Sequence, residues 1–247
     1  MNRTPPASLI SSAIYAITAF ALISNPATCS ADKPTQPAEK PAAATEKAAA
    51  KEEAKKDWKA LNGKWKVSQF GGDGPVEIKE DLIKMELGDP LTGVRWEGDV
   101  LRENYELTLE TQRTDGFDFF CGLTFPVGED NVTFILGGWG GGVVGISNVD
   151  GHDASENDTT FFRNFDNDTW YKVRVRVDPH FIRCWIDEKN AVEQERKGHK
   201  FDIRYEMDQS VPLGVAAFQC DSEIRNVRLR KLTKKELAAA KEKAEQE

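Results

Sequence analysis

Two stretches of this 247-residue chain carry side chains that could recognise a ligand or move a proton. The first is Gly-Gly-Trp-Gly-Gly-Gly at 137–142, in which Trp139 is ringed by glycines. Glycine has no Cβ, so backbone there bends tightly and can lie close to a ligand. An indole held on such a turn offers a flat apolar face. Sugar rings present apolar C–H faces edged with hydroxyls, and they match an indole bordered by polar groups. Trp139, Gly140 and Gly141 are therefore candidate ligand contacts, and Asn157 supplies an amide that could hydrogen-bond hydroxyls. The competing reading makes the glycines a bulged strand connection, with Trp139 plugging a gap between two sheets.

The second stretch, Asn-Val-Asp-Gly-His-Asp-Ala-Ser-Glu-Asn-Asp at 148–158, gathers acids, amides and one histidine. General acid–base chemistry needs titratable groups around a cleft, with a pKa near working pH. His152, Asp150 and Asp153 are the candidate catalytic groups, and Arg95 is the candidate to hold a polarised carbonyl or an enolate. Asp150, Asp153, Glu156 and Asp158 could instead bind a hard cation such as Ca2+, although their spacing is not that of an EF-hand. A solvated acidic loop is the plainer alternative. The chain has no Gly-x-Ser-x-Gly elbow and no Cys-x-x-Cys pair, so acyl transfer and a zinc cluster have no support.

The elements that must position these groups read as strands. NYELTLETQR, FDFFCGLTF, NVTFIL, GVVGIS, WYKVRVRVD, FIRCWID, VPLGVAAFQ and SEIRNVRLRKL succeed one another between residues 104 and 232. Their apolar residues recur with period two, which buries one face of each strand and wets the other. In WYKVRVRV the valines share a face with Tyr171, while Lys172, Arg174 and Arg176 form a cationic stripe opposite, suited to pair with acids on neighbouring strands. Regular strands and turns, with no helical period between 58 and 230, predict a single all-β sandwich over 58–232. Residues 233–247 read as a charged helical tail.

ENYELTLETQR, the following strand ending in GLTF, WYKVRVRV, FIRCWID, LGVAAF and the closing EIRNVRLRKL together resemble the concanavalin A-like, laminin-G-like jelly roll. More narrowly, residues 61–232 resemble the bacterial family once called DUF1080. The resemblance implies carbohydrate involvement and an activity as 3-keto-disaccharide hydrolase or 3-keto-glucoside lyase/hydratase. A 3-keto group acidifies the neighbouring C–H, so a base at His152, Asp150 or Asp153 would remove that proton and the glycosidic oxygen would leave. A non-catalytic carbohydrate-binding module or an extracellular interaction domain is the rival expectation.

Residues 1–31 read as an export signal. Arg3 supplies the charged start, Leu9 to Ile23 is apolar apart from Ser and Thr, and Cys29-Ser30-Ala31 resembles a cleavage site. That run is 15 residues, short of the roughly 20 a bilayer span needs. The expected location is periplasmic or extracellular, with no stable membrane insertion after cleavage. Residues 32–57, built from Ala, Lys, Glu, Pro and Thr, read as a partly helical linker. Between 58 and 230 the chain has 21 Lys and Arg against 31 Asp and Glu, a net charge of −10. A field of that sign repels phosphate backbones and anionic lipid, and argues against nucleic acid as a partner. Cys121, Cys184 and Cys220 all fall in predicted strands and read either as small buried hydrophobes or as one disulfide plus a free thiol.

Overall fold

The structure is a computed structural model that describes residues 57–246. The expected signal segment and all but the last residue of the expected linker lie outside them. The chain passes through β1 (Lys59–Ala60), β2 (Trp65–Val67), β3 (Val76–Ile78), β4 (Leu82–Met85) and β5 (Leu91–Trp96). The long β6 (Tyr105–Gly116) is followed by β7 (Cys121–Val127), β8 (Asp130–Gly137), β9 (Val143–Ser147) and β10 (Phe161–Phe162). Then come β11 (Tyr171–Val177), β12 (Phe181–Ile186), β13 (Lys189–Glu195), β14 (Gly214–Phe218) and β15 (Cys220–Lys231). A helix, α1 (Lys234–Ala244), closes the described chain.

These strands build two antiparallel sheets stacked as a jelly-roll sandwich. The front sheet has seven strands in the order β10-β9-β8-β7-β14-β5-β2. The back sheet runs β13-β12-β11-β6-β15-β4-β3, with β1 pairing β15 as its eighth strand. Alternation decides what lies between them. Val173, Val175 and Val177 of β11 and Leu107 and Leu109 of β6 meet Leu123, Phe125, Phe134 and Val215 of the front sheet in one continuous core. Phe165 packs edge to face on both Phe120 and Tyr171 within it, the Phe120 and Phe165 centroids lying 5.1 Å apart, while Phe120 and Tyr171 are tilted to each other.

Cys121, Cys184 and Cys220 sit in this core as free thiols, so the disulfide alternative is not realised. Burial pushes the Cys121 and Cys220 thiols up to about 12, and both stay protonated and inert at neutral pH.

The back sheet's outer face is charged and paired. Glu106 of β6, fully buried, accepts two hydrogen bonds from Arg176 (2.8 and 2.6 Å) and one from Arg230 (2.7 Å). Lys172 and Arg174, the rest of the cationic stripe, reach Glu188. Arg174 lies 3.8 Å from the centroid of Trp185, and Arg225 3.8 Å from that of Trp170. Helix α1 is tied to this face, because Glu236 of its first turn accepts from Arg230 and Arg176, and Ala240 is buried.

Candidate functional site

The outer face of the front sheet differs from that of the back. Its strands are buried on both sides: every residue of β7 and of β9 is buried. The outward positions are small, with Gly122, Gly145, Gly214 and Ala216 among them, so overlying loops can settle on the sheet. A Cβ on Gly122 would stand 3.1 Å from Phe119 and 3.3 Å from Met207; on Gly145 it would meet the Ala154 carbonyl at 2.9 Å. Leu91, Met207 and Ala216, with Phe70, Phe119, Ile203 and Phe218, form a second apolar cluster on this outer side.

Between that cluster and the loops lies a cavity of about 690 Å³, within the range of roughly 300–1,000 Å³ typical of small-molecule sites. Leu91, Ile135, Phe218, Thr133 and Ser147 form its floor; the Thr133 hydroxyl pairs with that of Thr124 and the Ser147 hydroxyl donates to Asn148. Asp118 and Phe119 come from the β6–β7 connection, and Trp139 from the β8–β9 turn. The fourth wall is a single 3-10 turn, Tyr205–Ser210, which contributes Tyr205, Glu206, Met207, Asp208 and Gln209, with Arg204 just before it. Met207 is buried and pins the turn to the sheet.

The mouth is aromatic. Trp139 is 46% exposed and Tyr205 79% exposed, both at the cavity. Trp139 has φ 50° and ψ 52°, left-handed backbone that a non-glycine residue rarely adopts, between Gly137 at φ 77° and Gly140 at φ 86°. Two features hold it there. Asp118 accepts the Gly140 N–H at 3.0 Å and the Phe119 N–H at 2.7 Å, clamping the Trp139 turn to the β6–β7 connection. Arg113, buried behind them, donates to the Asp118 carbonyl at 3.1 Å, to Asn167 at 2.6 Å and to the Phe165 carbonyl at 2.8 Å.

The opposite rim is a charged chain. Arg204 donates to Asp153 at 2.8 Å and to Glu206 at 2.9 Å. Partial burial pushes the Glu206 carboxyl up, but the hydrogen bonds and charge of Arg204 outweigh it and leave the group below its usual range. Glu206 is therefore ionised at neutral pH.

The expected site residues divide accordingly. Trp139 lines the cavity, and Gly140 holds its turn through Asp118. Gly141 lets the Phe117 carbonyl come within 2.4 Å of the place its Cβ would occupy. Asp153 stands behind the rim as the partner of Arg204, with its other oxygen accepting from the Ser155 N–H and hydroxyl. The remaining candidates do not line the cavity. His152 and Glu156 face each other at 4.0 Å, both exposed. Asp150 turns to a different segment, accepting the Lys200 N–H at 2.8 Å and meeting His199 at 2.7 Å, contacts that hold its carboxyl below the usual range. Asn157 braces its own loop by donating to the carbonyls of Ile146, His152 and Asp153. Arg95 pairs with Glu97 at 3.2 Å.

The cation set needs correcting on the same grounds. Asp150, Asp153, Glu156 and Asp158 do not converge, since the first two spend both oxygens on other donors, and among the described residues no three His, Cys, Asp or Glu side chains form a metal-binding group. Asp118, Arg204, Tyr205, Glu206 and Asp208 are cavity residues that the sequence reading missed. Their signal was misleading: in FDIRYEM the apolar residues Phe201, Ile203, Tyr205 and Met207 alternate with polar ones as in a strand, yet the segment runs into a 3-10 turn over Tyr205–Ser210.

No protein-family profile and no curated protein matches the chain. Solved structures do resemble it. The carbohydrate-binding module CBM66 of Bacillus subtilis aligns with TM-score 0.40 at 9% identity, over 71% of this chain and 96% of that one. The apo form of the transglycosylase Crh5 aligns with TM-score 0.49 at 10% identity, over 71% and 84%. The carbohydrate recognition domain of Emp46p, in a potassium-bound form, aligns with TM-score 0.46 at 15% identity, over 69% and 89%. At such identities the likeness concerns the fold and not the residues of the site.

Proposed function

We propose that this chain is an exported protein that binds saccharide in the front-sheet cavity. One observation carries the reading: two exposed aromatic rings, Trp139 and Tyr205, stand at a cavity whose other rim groups are Asp118, Arg204, Glu206 and Asp208. Aromatic faces stack on the C–H faces of a sugar, and carboxylates and guanidinium take its hydroxyls. Export follows from the N-terminal segment, and N-terminal sequencing of the mature protein from the secreted fraction tests it.

Binding is favoured over turnover. The elimination implied by the DUF1080 resemblance needs a base beside the acidified C–H, and His152 does not line the cavity. Glu206 is engaged by Arg204, which makes it a weak proton acceptor. The test is a glycan array followed by titration of the binder, read by tryptophan fluorescence. Trp139→Ala is expected to weaken binding at least tenfold, or about 1.4 kcal/mol. An array on which no saccharide binds overturns the proposal. Sugar released from 3-keto-trehalose or 3-keto-methyl-glucoside would overturn the non-catalytic part alone.

A further inference from the structure

Two more rings flank the Trp139 turn outside the cavity: Phe162 is 78% exposed and Phe117 67% exposed. The Phe117 carbonyl packs against Gly141, and Arg163, the neighbour of Phe162, donates its N–H to the Gly142 carbonyl at 2.9 Å. Strand register settles which way Phe162 faces. Thr133 and Ser147, both lining the cavity, are cross-strand partners, and Ile135, also lining it, sits opposite Gly145. Two residues before Gly145 on β9 is Val143, and Val143 pairs with Phe162. Period two therefore turns Phe162 out from the same face as the cavity. Its neighbour Phe161 points the other way and packs on the main core.

A single exposed ring on a surface is ordinary. Here two exposed rings border one clamped turn that already presents an indole to a cavity: Phe117 adjoins the turn through its carbonyl at Gly141, and a Cβ on Gly142 would lie 3.9 Å from the Phe162 ring. We propose that the cavity is one end of a longer track, continuing over Trp139 onto Phe117 and Phe162, and that its occupant is a neutral linear saccharide of several units. The inference rests on the saccharide-binding reading. One unit stacks at Trp139 and is held by the charged rim; the following units lie on the phenylalanine rings, where C–H contact is available without a second polar cradle. The net charge of −10 between residues 58 and 230 disfavours an acidic or sulfated chain.

The test compares cellobiose with cellohexaose, laminaribiose with laminarihexaose, and maltose with maltohexaose by calorimetry on the full mature chain. In the series that binds, the hexasaccharide is expected to bind at least tenfold more tightly than the disaccharide. Phe162→Ala and Phe117→Ala should each weaken the hexasaccharide roughly three- to tenfold, the range of one aromatic contact, and leave the disaccharide unchanged. Both positions are exposed, and an unaltered melting temperature confirms that the variants fold. Equal affinity at both lengths, or equal losses at both lengths in the variants, overturns the track and leaves the cavity reading standing. Failure of every series, together with a blank array, overturns the saccharide reading itself. If neutral phosphatidylcholine vesicles retain the native chain but release both variants, the rings dock on lipid and the track is likewise overturned.

Discussion

At the scale of single residues, the most informative side chain is Trp139, because its backbone and its ring make opposite demands. Left-handed φ/ψ costs an L-residue roughly 1–2 kcal/mol relative to right-handed backbone, and glycine avoids most of that. A tryptophan kept there, with glycine on either side, is better explained by what its ring does than by what its backbone needs. Trp139→Gly and Trp139→Ala should both lose saccharide affinity. The glycine variant should melt above the alanine variant, by an amount corresponding to about 1 kcal/mol, because alanine retains the strain and contributes no ring. Thermal unfolding of the pair reads the difference, and an alanine variant as stable as the glycine variant would remove the strain argument. The indole was legible as a candidate because its glycines are contiguous in the chain. Asp118 was not, because its role comes from a hydrogen bond to Gly140, 22 residues away.

At the scale of elements, strands could be read and their covering could not. Period two in WYKVRVRV determines that the valines point inward whatever strand lies beside it, so β11 is evident from its own residues. Phe201, Ile203, Tyr205 and Met207 alternate as a strand would, yet the chain turns into a 3-10 helix over Tyr205–Ser210, fixed by Met207 sinking into a cluster with front-sheet residues. The acidic loop was read as one polar unit, whereas folding divides it: Asp153 goes to Arg204 and Asp150 to His199 and Lys200. Helix α1 teaches the same lesson. Its sequence lacks an apolar stripe and reads as a charged tail, yet Thr233 and Glu236 form a reciprocal capping box and Glu236 also reaches Arg230 on β15. Thr233→Ala should cost about 1 kcal/mol. Glu236→Ala should cost more, because it also removes an acceptor from Arg230, which is 2% exposed. Chemical denaturation of the two variants ranks them, and equal losses would mean that the helix is held by its cap alone.

At the scale of the whole molecule, the two faces of the sandwich do different work. The front supports a cavity through small outward residues, and the back is a lattice of carboxylates and guanidinium groups. That lattice sets the pH response. Glu188, Glu193, Glu223 and Glu236 are each partly buried, which alone would raise their pKa values. Hydrogen bonds and charge from Lys172 and Arg174, Lys243 and Arg183, Lys84 and Gln112, and Arg230 and Thr233 outweigh that, and all four titrate below the usual range. Glu206, at the cavity, behaves alike. A carboxyl whose folded pKa lies below its unfolded value of about 4.3 binds fewer protons folded than unfolded below neutrality. Its stabilisation is complete above the unfolded value and is lost as pH falls toward the folded one. The melting temperature should therefore be level between about pH 6 and 8 and fall steadily below about pH 4.5, where the unfolded chain begins to take up protons first. Glu223→Gln removes one depressed group and should reduce the drop, while lowering stability at neutral pH. A melting temperature that stayed constant down to pH 2.5, or rose on acidification, would mean that these ion pairs do not couple proton binding to the fold.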